Sequence, residues 1–232
     1  MKNYKVIEES GLRWYIKDEI YHPSVSTVNG WQKTLSMPPY KRKAGNAANF
    51  GTATHFQLAK AIYDDFGVGN TEDILDMPDI AIWNVSHEEK MYKINKPMQM
   101  WYKFLAEHST FEPLQTEMVL FNDGKTPYAG RLDVLCRIDG LIYLIDFKTG
   151  AYYPEYDAQV CGGYACLLRY SGLVVDRVAL LFLDSREDRN PSGKYNFKVY
   201  SDEERSVGEK VFKGKLQTYY ENDVRAKVEQ GA

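Results

Sequence analysis

The sequence predicts an α/β fold on three observations. Segments of helical period come first, then three strand-like runs, then a helix, a further strand and a closing helix. The run LIYLIDF at 141–147 is almost continuously apolar, as expected for a strand covered on both faces at the centre of a sheet. Asp139-Gly140 joins that run to the one before it, and Asp-Gly is a strong signal for a two-residue type I′ hairpin turn.

Each element follows from its own local signal. Residues 24–36 read as a short helix after Pro23. A firmer helix begins near Asn49, where Leu58, Ala59, Ile62 and Phe66 recur at helical spacing. Ser86 opens a third over 86–108, with Glu88 and Glu89 in the first turn, where carboxylates complement the helix dipole. Strands are expected over 116–121, 129–138 and 141–148. A helix from about Glu155 to Tyr170, a strand from Arg177 to Asp184, an edge strand from Lys194 to Tyr200 and a polar helix from about Asp202 complete the chain. No repeat or Gly/Ser-rich linker divides it, so the expectation is one domain over 1–232: an N-terminal segment 1–48, a core 49–200 and a C-terminal helix 201–232.

Composition narrows the function classes. No apolar run approaches the length of a membrane span, MKNYKVIEES lacks the apolar stretch of a signal peptide, and three unevenly spaced cysteines cannot all pair. An intracellular, reducing setting without a membrane partner is expected. The net charge of -3 is the wrong sign for coating nucleic acid by bulk attraction. Its distribution is uneven, however: residues 1–50 hold eight Lys and Arg against four Asp and Glu, and residues 51–100 the reverse. A DNA-facing surface would therefore draw on the N-terminal segment, where Lys41, Arg42 and Lys43 form the densest cluster; the same run also suits a solvated loop.

The hairpin turn fixes a register. With Ile138 facing Leu141, paired residue numbers sum to 279, which sets Asp133 opposite Asp146 and Arg131 opposite Lys148. Side chains alternate along a strand, so Lys148 shares a face with Asp146. Cross-strand partners have Cβ atoms roughly 4.5–5.5 Å apart, where like charges destabilise each other. A divalent cation between the two acids would neutralise them. Two acids and a lysine at one spot suit phosphodiester hydrolysis, in which the acids hold Mg²⁺ or Mn²⁺ and the lysine positions water or offsets phosphate charge. The same spacing also suits an exposed ion-pair ladder, but the apolar strand carrying Asp146 and Lys148 favours a cleft. Glu117 would join Asp133 if the loop from Asp123 to Pro127 has five residues and would turn away if it has six. His55 lies on the apolar face of its helix, as either a hydrogen-bonded core residue or a ligand.

The succession GTATH at 51–55, TE at 116–117, YAGRLD at 128–133, DFKTG at 146–150 and AQVCGGY at 158–164 resembles RecB-type nucleases of the PD-(D/E)XK superfamily. It spans residues 24 to about 170 and looks most like the short exonucleases of phages and the mitochondrial genome maintenance exonuclease, which also carry a segment like PSVSTV at 23–28. The resemblance implies a restriction-endonuclease-like core, a mixed sheet flanked by helices. It implies His55, Asp133, Asp146 and the Phe147 carbonyl as ligands of Mg²⁺ or Mn²⁺, Lys148 as the catalytic lysine, and Glu117 and Gln159 in support. Ser24, Ser26 and Thr27 would contact phosphate, with plain helix capping as the alternative, and Arg131 and Tyr164 would face DNA. The implied activity is cleavage of DNA, preferably single-stranded, from a free end, in a cytoplasmic phage or bacterial setting with a helicase or single-strand-binding partner. A DNA-binding scaffold that keeps the fold and a structure-specific endonuclease are the rival readings.

Two departures stand out. Family members place a tyrosine four residues after the glutamine, whereas Tyr164 follows Gln159 by five. Five α-helical steps rotate by about 500°, roughly 140° out of phase. Only a π-bulge, for which Gly162-Gly163 gives room, would return Tyr164 to the face of Gln159. Related nucleases with an iron–sulfur cluster use four cysteines, and Cys136, Cys161 and Cys166 do not supply that set, so no cluster is expected.

Overall fold

In the computed structural model, residues 3–38, 46–69, 86–184, 186 and 188–230 are described. The chain opens with a three-stranded antiparallel sheet: β1 (Lys5–Glu9), β2 (Leu12–Lys17) and β3 (Ile20–Pro23). Its turns, Ser10-Gly11 and Asp18-Glu19, both have positive φ at each central residue, the type I′ geometry that matches strand twist. Alternation along β2 sends Leu12 and Trp14 into a cluster with Tyr219, Val224 and Val228. Ser24 then caps α1 (Val25–Ser36) by accepting from the Thr27 N–H.

Helices α2 (Asn46–Phe66) and α3 (His87–Glu107) follow, the latter capped by Ser86 with Glu88 and Glu89 in its first turn. Strands β4 (Glu112–Asn122), β5 (Tyr128–Ile138) and β6 (Leu141–Lys148) form a meander. The helical segment α4 runs as α-helix over Glu155–Asp157, as π-helix over Ala158–Tyr164 and as α-helix again over Ala165–Tyr170. It crosses to β7 (Arg177–Phe182), which β8 (Asn196–Val199) edges. Helix α5 (Asp202–Glu221), started by a Ser201/Glu204 capping box, and α6 (Val224–Glu229) end the described chain.

The second sheet has the order β4-β5-β6-β7-β8, with only the β6–β7 pair parallel. The protein is thus α/β, a five-stranded mixed sheet flanked by helices, consistent with a restriction-endonuclease-like core. Helices cover both faces of β6, as its apolar run requires. Leu144 packs with Val25, Val160 and Phe212 on one side, and Ile145 and Phe147 pack with Leu58, Trp101 and Phe104 on the other. No helix among the described residues is long and apolar enough to cross a membrane.

Helix α4 lies against α1 and α5 because it presents glycine there. A Cβ on Gly162 would stand 2.3 Å from the Phe212 Cβ and 2.8 Å from the Gly208 carbonyl oxygen, and one on Gly163 would stand 2.3 Å from Val25 Cγ1. Gly162→Ala should therefore force α4 from α5 and destabilise the protein by about 1–3 kcal/mol, an ordinary overpacking cost. Urea denaturation measures this, and an unchanged midpoint would show that the two helices separate freely.

Candidate metal centre and active-site cleft

The β5–β6 ladder has the register set by its turn, from Ile138↔Leu141 to Val134↔Ile145. It stops one step before the acids. Instead of a backbone carbonyl, the Asp133 carboxylate accepts the Phe147 N–H at 2.6 Å. Asp133 and Asp146 still face the same cleft, both buried, and Lys148 pairs with Asp146. The expected juxtaposition of Arg131 with Lys148 does not form, since β5 no longer pairs with β6 beyond Val134. Arg131 sits opposite Val119, and its guanidinium reaches Glu117 at 2.8 Å.

Glu117 enters through strain. Asn122 pairs with Tyr128, so the connecting loop has five residues and Glu117 falls across from Asp133. Its φ of 52° lies in the left-handed region, costly for a residue with a β-carbon. The ladder skips this position, while the Thr116 hydroxyl donates to the Asp133 carbonyl at 2.8 Å. From α2, the His55 Nδ1 lies 3.1 Å from Asp133 Oδ1. One potential ligand atom from each of His55, Glu117 and Asp133 lies within 4.8 Å of the others, little more than twice a metal–oxygen bond of roughly 2.1 Å.

A cleft of about 220 Å³ opens over His55, Asp133, Asp146 and Lys148, and the buried Glu117 does not line it. Ser24 and Ser26 line it, as do Gln159 and Tyr164. Tyr164 returns to the face of Gln159 because this turn is π-helical, and the Gln159 amide donates to the Tyr164 hydroxyl at 3.1 Å. Ser24 combines lining with its capping role. Thr27 does not reach the cleft: its buried hydroxyl accepts the Arg13 N–H and donates to the Arg13 carbonyl, tying α1 to β2. Phe147 meets the site through its N–H, and its ring is core. Lys41, Arg42 and Lys43 lie outside the described residues. Cys136, Cys161 and Cys166 are buried free thiols.

Two lining residues, Arg13 and Tyr15, went unread in the sequence. They stand on β2, inside the N-terminal sheet. The alternation of Leu12 and Trp14 with Arg13 and Tyr15, between two turn-like dipeptides, is the signal that would have revealed them.

Burial dominates the electrostatics. It raises Glu117 to about 8 despite Arg131, with Asp133 pushing the same way. It raises Asp146 to about 6 despite Lys148. For Asp133, burial also favours the neutral acid, but His55, Lys148 and the Phe147 N–H outweigh it and hold the carboxyl below its ordinary range. His55 and Lys148 are both raised, because their acid neighbours outweigh the desolvation of their charges. The residues suit a hard divalent cation on one further count: the buried Asp146 Oδ2, although ion-paired to Lys148, accepts no well-aligned hydrogen bond.

No protein-family model matches the chain, and no curated protein matches it. Among the solved structures that match is one described as "Crystal structure of SSO0001", 11% identical, with 84% of each chain covered and a TM-score of 0.32. That likeness is too slight to carry a functional argument.

A raised carboxyl pKa makes a sign-definite prediction for the metal-free protein. Between about 4.5 and about 8 the folded state keeps a proton on Glu117 that the unfolded chain has released, so this contribution to stability is full at low pH and lost as pH rises. Chemical denaturation in chelator should show the parent losing on the order of a few kcal/mol relative to Glu117→Gln from pH 5 to 8. Parallel profiles would mean that Glu117 is ionised throughout.

Proposed function

We propose that this protein is a divalent-metal-dependent nuclease of the PD-(D/E)XK type, hydrolysing DNA from a free end and acting preferentially on single strands. The observation that carries the reading is the convergence of Asp133, Asp146, Lys148 and His55 in one cleft. The motif order in the sequence supports the same class.

Asp133 and Asp146 would hold Mg²⁺ or Mn²⁺, with His55 and Glu117 within reach. The bound metal supplies Lewis acidity toward a phosphate oxygen and a water of lowered pKa. Lys148, held protonated by Asp146 and Asp133, acts as a fixed positive charge beside the scissile phosphate rather than as a base. Gln159 and Tyr164, locked together, present an amide and a hydroxyl to the cleft from one side, and the Ser24 and Ser26 hydroxyls do so from the start of α1. Water adds to phosphorus and gives up a proton to solvent, the P–O bond to the leaving nucleotide breaks, and the departing oxygen takes a proton from solvent. Helicases, which unwind strand ends, or single-strand-binding proteins, which keep them unpaired, are suitable partners.

The test is a cleavage time course on labelled linear and circular single strands. Linear DNA should be degraded with Mg²⁺ or Mn²⁺ and persist in chelator, and circles should survive. Asp146→Asn should abolish cleavage, and His55→Ala should lower it about 10- to 100-fold with the circular dichroism spectrum unchanged. Full activity in chelator would end the reading. Efficient cutting of circles would favour an endonuclease, and a gel shift without metal-dependent product a scaffold.

A further inference from the structure

Parallel strands β6 and β7 bring Lys148 into register with Phe182, and ligands of open α/β sheets gather outside such carboxyl ends. From Lys148 the chain turns through Thr149, Gly150 and Ala151 into Tyr152, Tyr153 and, at the start of α4, Tyr156. The Lys148 ammonium lies 4.6 Å from the Tyr156 ring centroid, and Tyr153 meets Tyr156 edge-on at 5.6 Å. That edge contact leaves Tyr153 50% exposed.

Beside this loop runs a groove of about 260 Å³ lined by Gly150, Tyr152, Phe182, Arg189 and Lys194. Tyr152 is fixed as its wall: the hydroxyl bonds to Asp157, Lys198 lies 4.9 Å from the ring centroid, and Phe182 meets the ring edge-on. Asp184, also in the groove, is paired with Arg186. Among the described residues Arg189 makes a 4.0 Å contact with Asp188, and Lys194 adds a second cation to the groove. Scattered exposed tyrosines are ordinary on a surface. Here, however, an open ring and a ring touching the active-site lysine follow closely in the chain on Tyr152, the wall of a groove that carries Arg189 and Lys194.

We propose that this loop and groove form a single-strand subsite flanking the scissile phosphate: an unpaired base stacks on Tyr153, and the adjoining phosphate lies in the groove against Arg189 and Lys194. The proposal rests on the nuclease reading and deepens it. Every base offers a π-face, so stacking is tolerant of sequence, whereas a duplex hides those faces between its neighbours. The subsite therefore accounts for a preference for single strands.

The test is fluorescence anisotropy of the full chain with labelled oligothymidylate in chelator, where no strand is cut, alongside an abasic oligonucleotide of equal length. Tyr153→Ala should weaken oligothymidylate binding about tenfold, the size of one lost stack. It should leave the melting temperature and abasic binding unchanged, and Tyr153→Phe should bind like the parent. Arg189→Glu with Lys194→Glu should weaken both oligonucleotides and flatten the salt dependence. Parent-like binding by Tyr153→Ala, or equal losses with and without bases, overturns the subsite. If the parent cuts but binds no strand in chelator, the subsite fails alone. If it neither binds nor cuts, the nuclease reading fails with it.

Discussion

Three carboxylates, Glu117, Asp133 and Asp146, are buried within reach of one another, and much of the surrounding structure answers that arrangement. Burial strips each of its hydration and neighbouring negative charge adds to the cost, so Glu117 and Asp146 hold their protons to higher pH than an ordinary carboxyl. The compensation is distributed: Arg131 faces Glu117, Lys148 faces Asp146, and His55 with the Phe147 N–H faces Asp133. What these partners leave over is a left-handed backbone at Glu117, the kind of unresolved cost that collects at functional sites.

The scaffold holds this cluster by covering its strands on both faces. Ile145 and Phe147 anchor β6 beneath α2 and α3, and Leu144 anchors it beneath α1, α4 and α5. The intervening Asp146 therefore has little freedom to swing toward solvent. On the other wall, the glycines of α4 let the π-turn approach α1 and α5, which keeps Gln159 and Tyr164 in the cleft. Arg13 secures the entrance from a third direction, its backbone exchanging hydrogen bonds with Thr27 and Ser24 at the start of α1.

Much of this was legible in the sequence because turn chemistry is local and quantised. Asp139-Gly140 set a register, and the register set Asp133 toward Asp146. Likewise, the five-residue spacing of Gln159 and Tyr164 posed a question that two glycines could answer, and the π-helix answers it. Ranges that depend on tertiary contact were less legible. The N-terminal strands are four to six residues long and draw their burial from α5 and α6 near the other end of the chain, so their own pattern is weak. Arg131 was set toward Lys148 by extending the hairpin ladder past its end. The ladder stops because Asp133 takes the Phe147 N–H, and a side chain capturing a backbone donor leaves no mark on hydrophobic periodicity. Thr27 differs for a similar reason, its hydroxyl being taken by the backbone of β2.

The central claim is that the carboxylate cluster is a cation site, and it is tested most directly by locating the cation. Crystals soaked in Mn²⁺ and measured at the manganese absorption edge should give an anomalous peak within coordination distance, about 2.1–2.3 Å, of oxygens from both Asp133 and Asp146. A peak elsewhere on the molecule, or none in this cleft at saturating Mn²⁺, would show that the buried acids serve the fold alone.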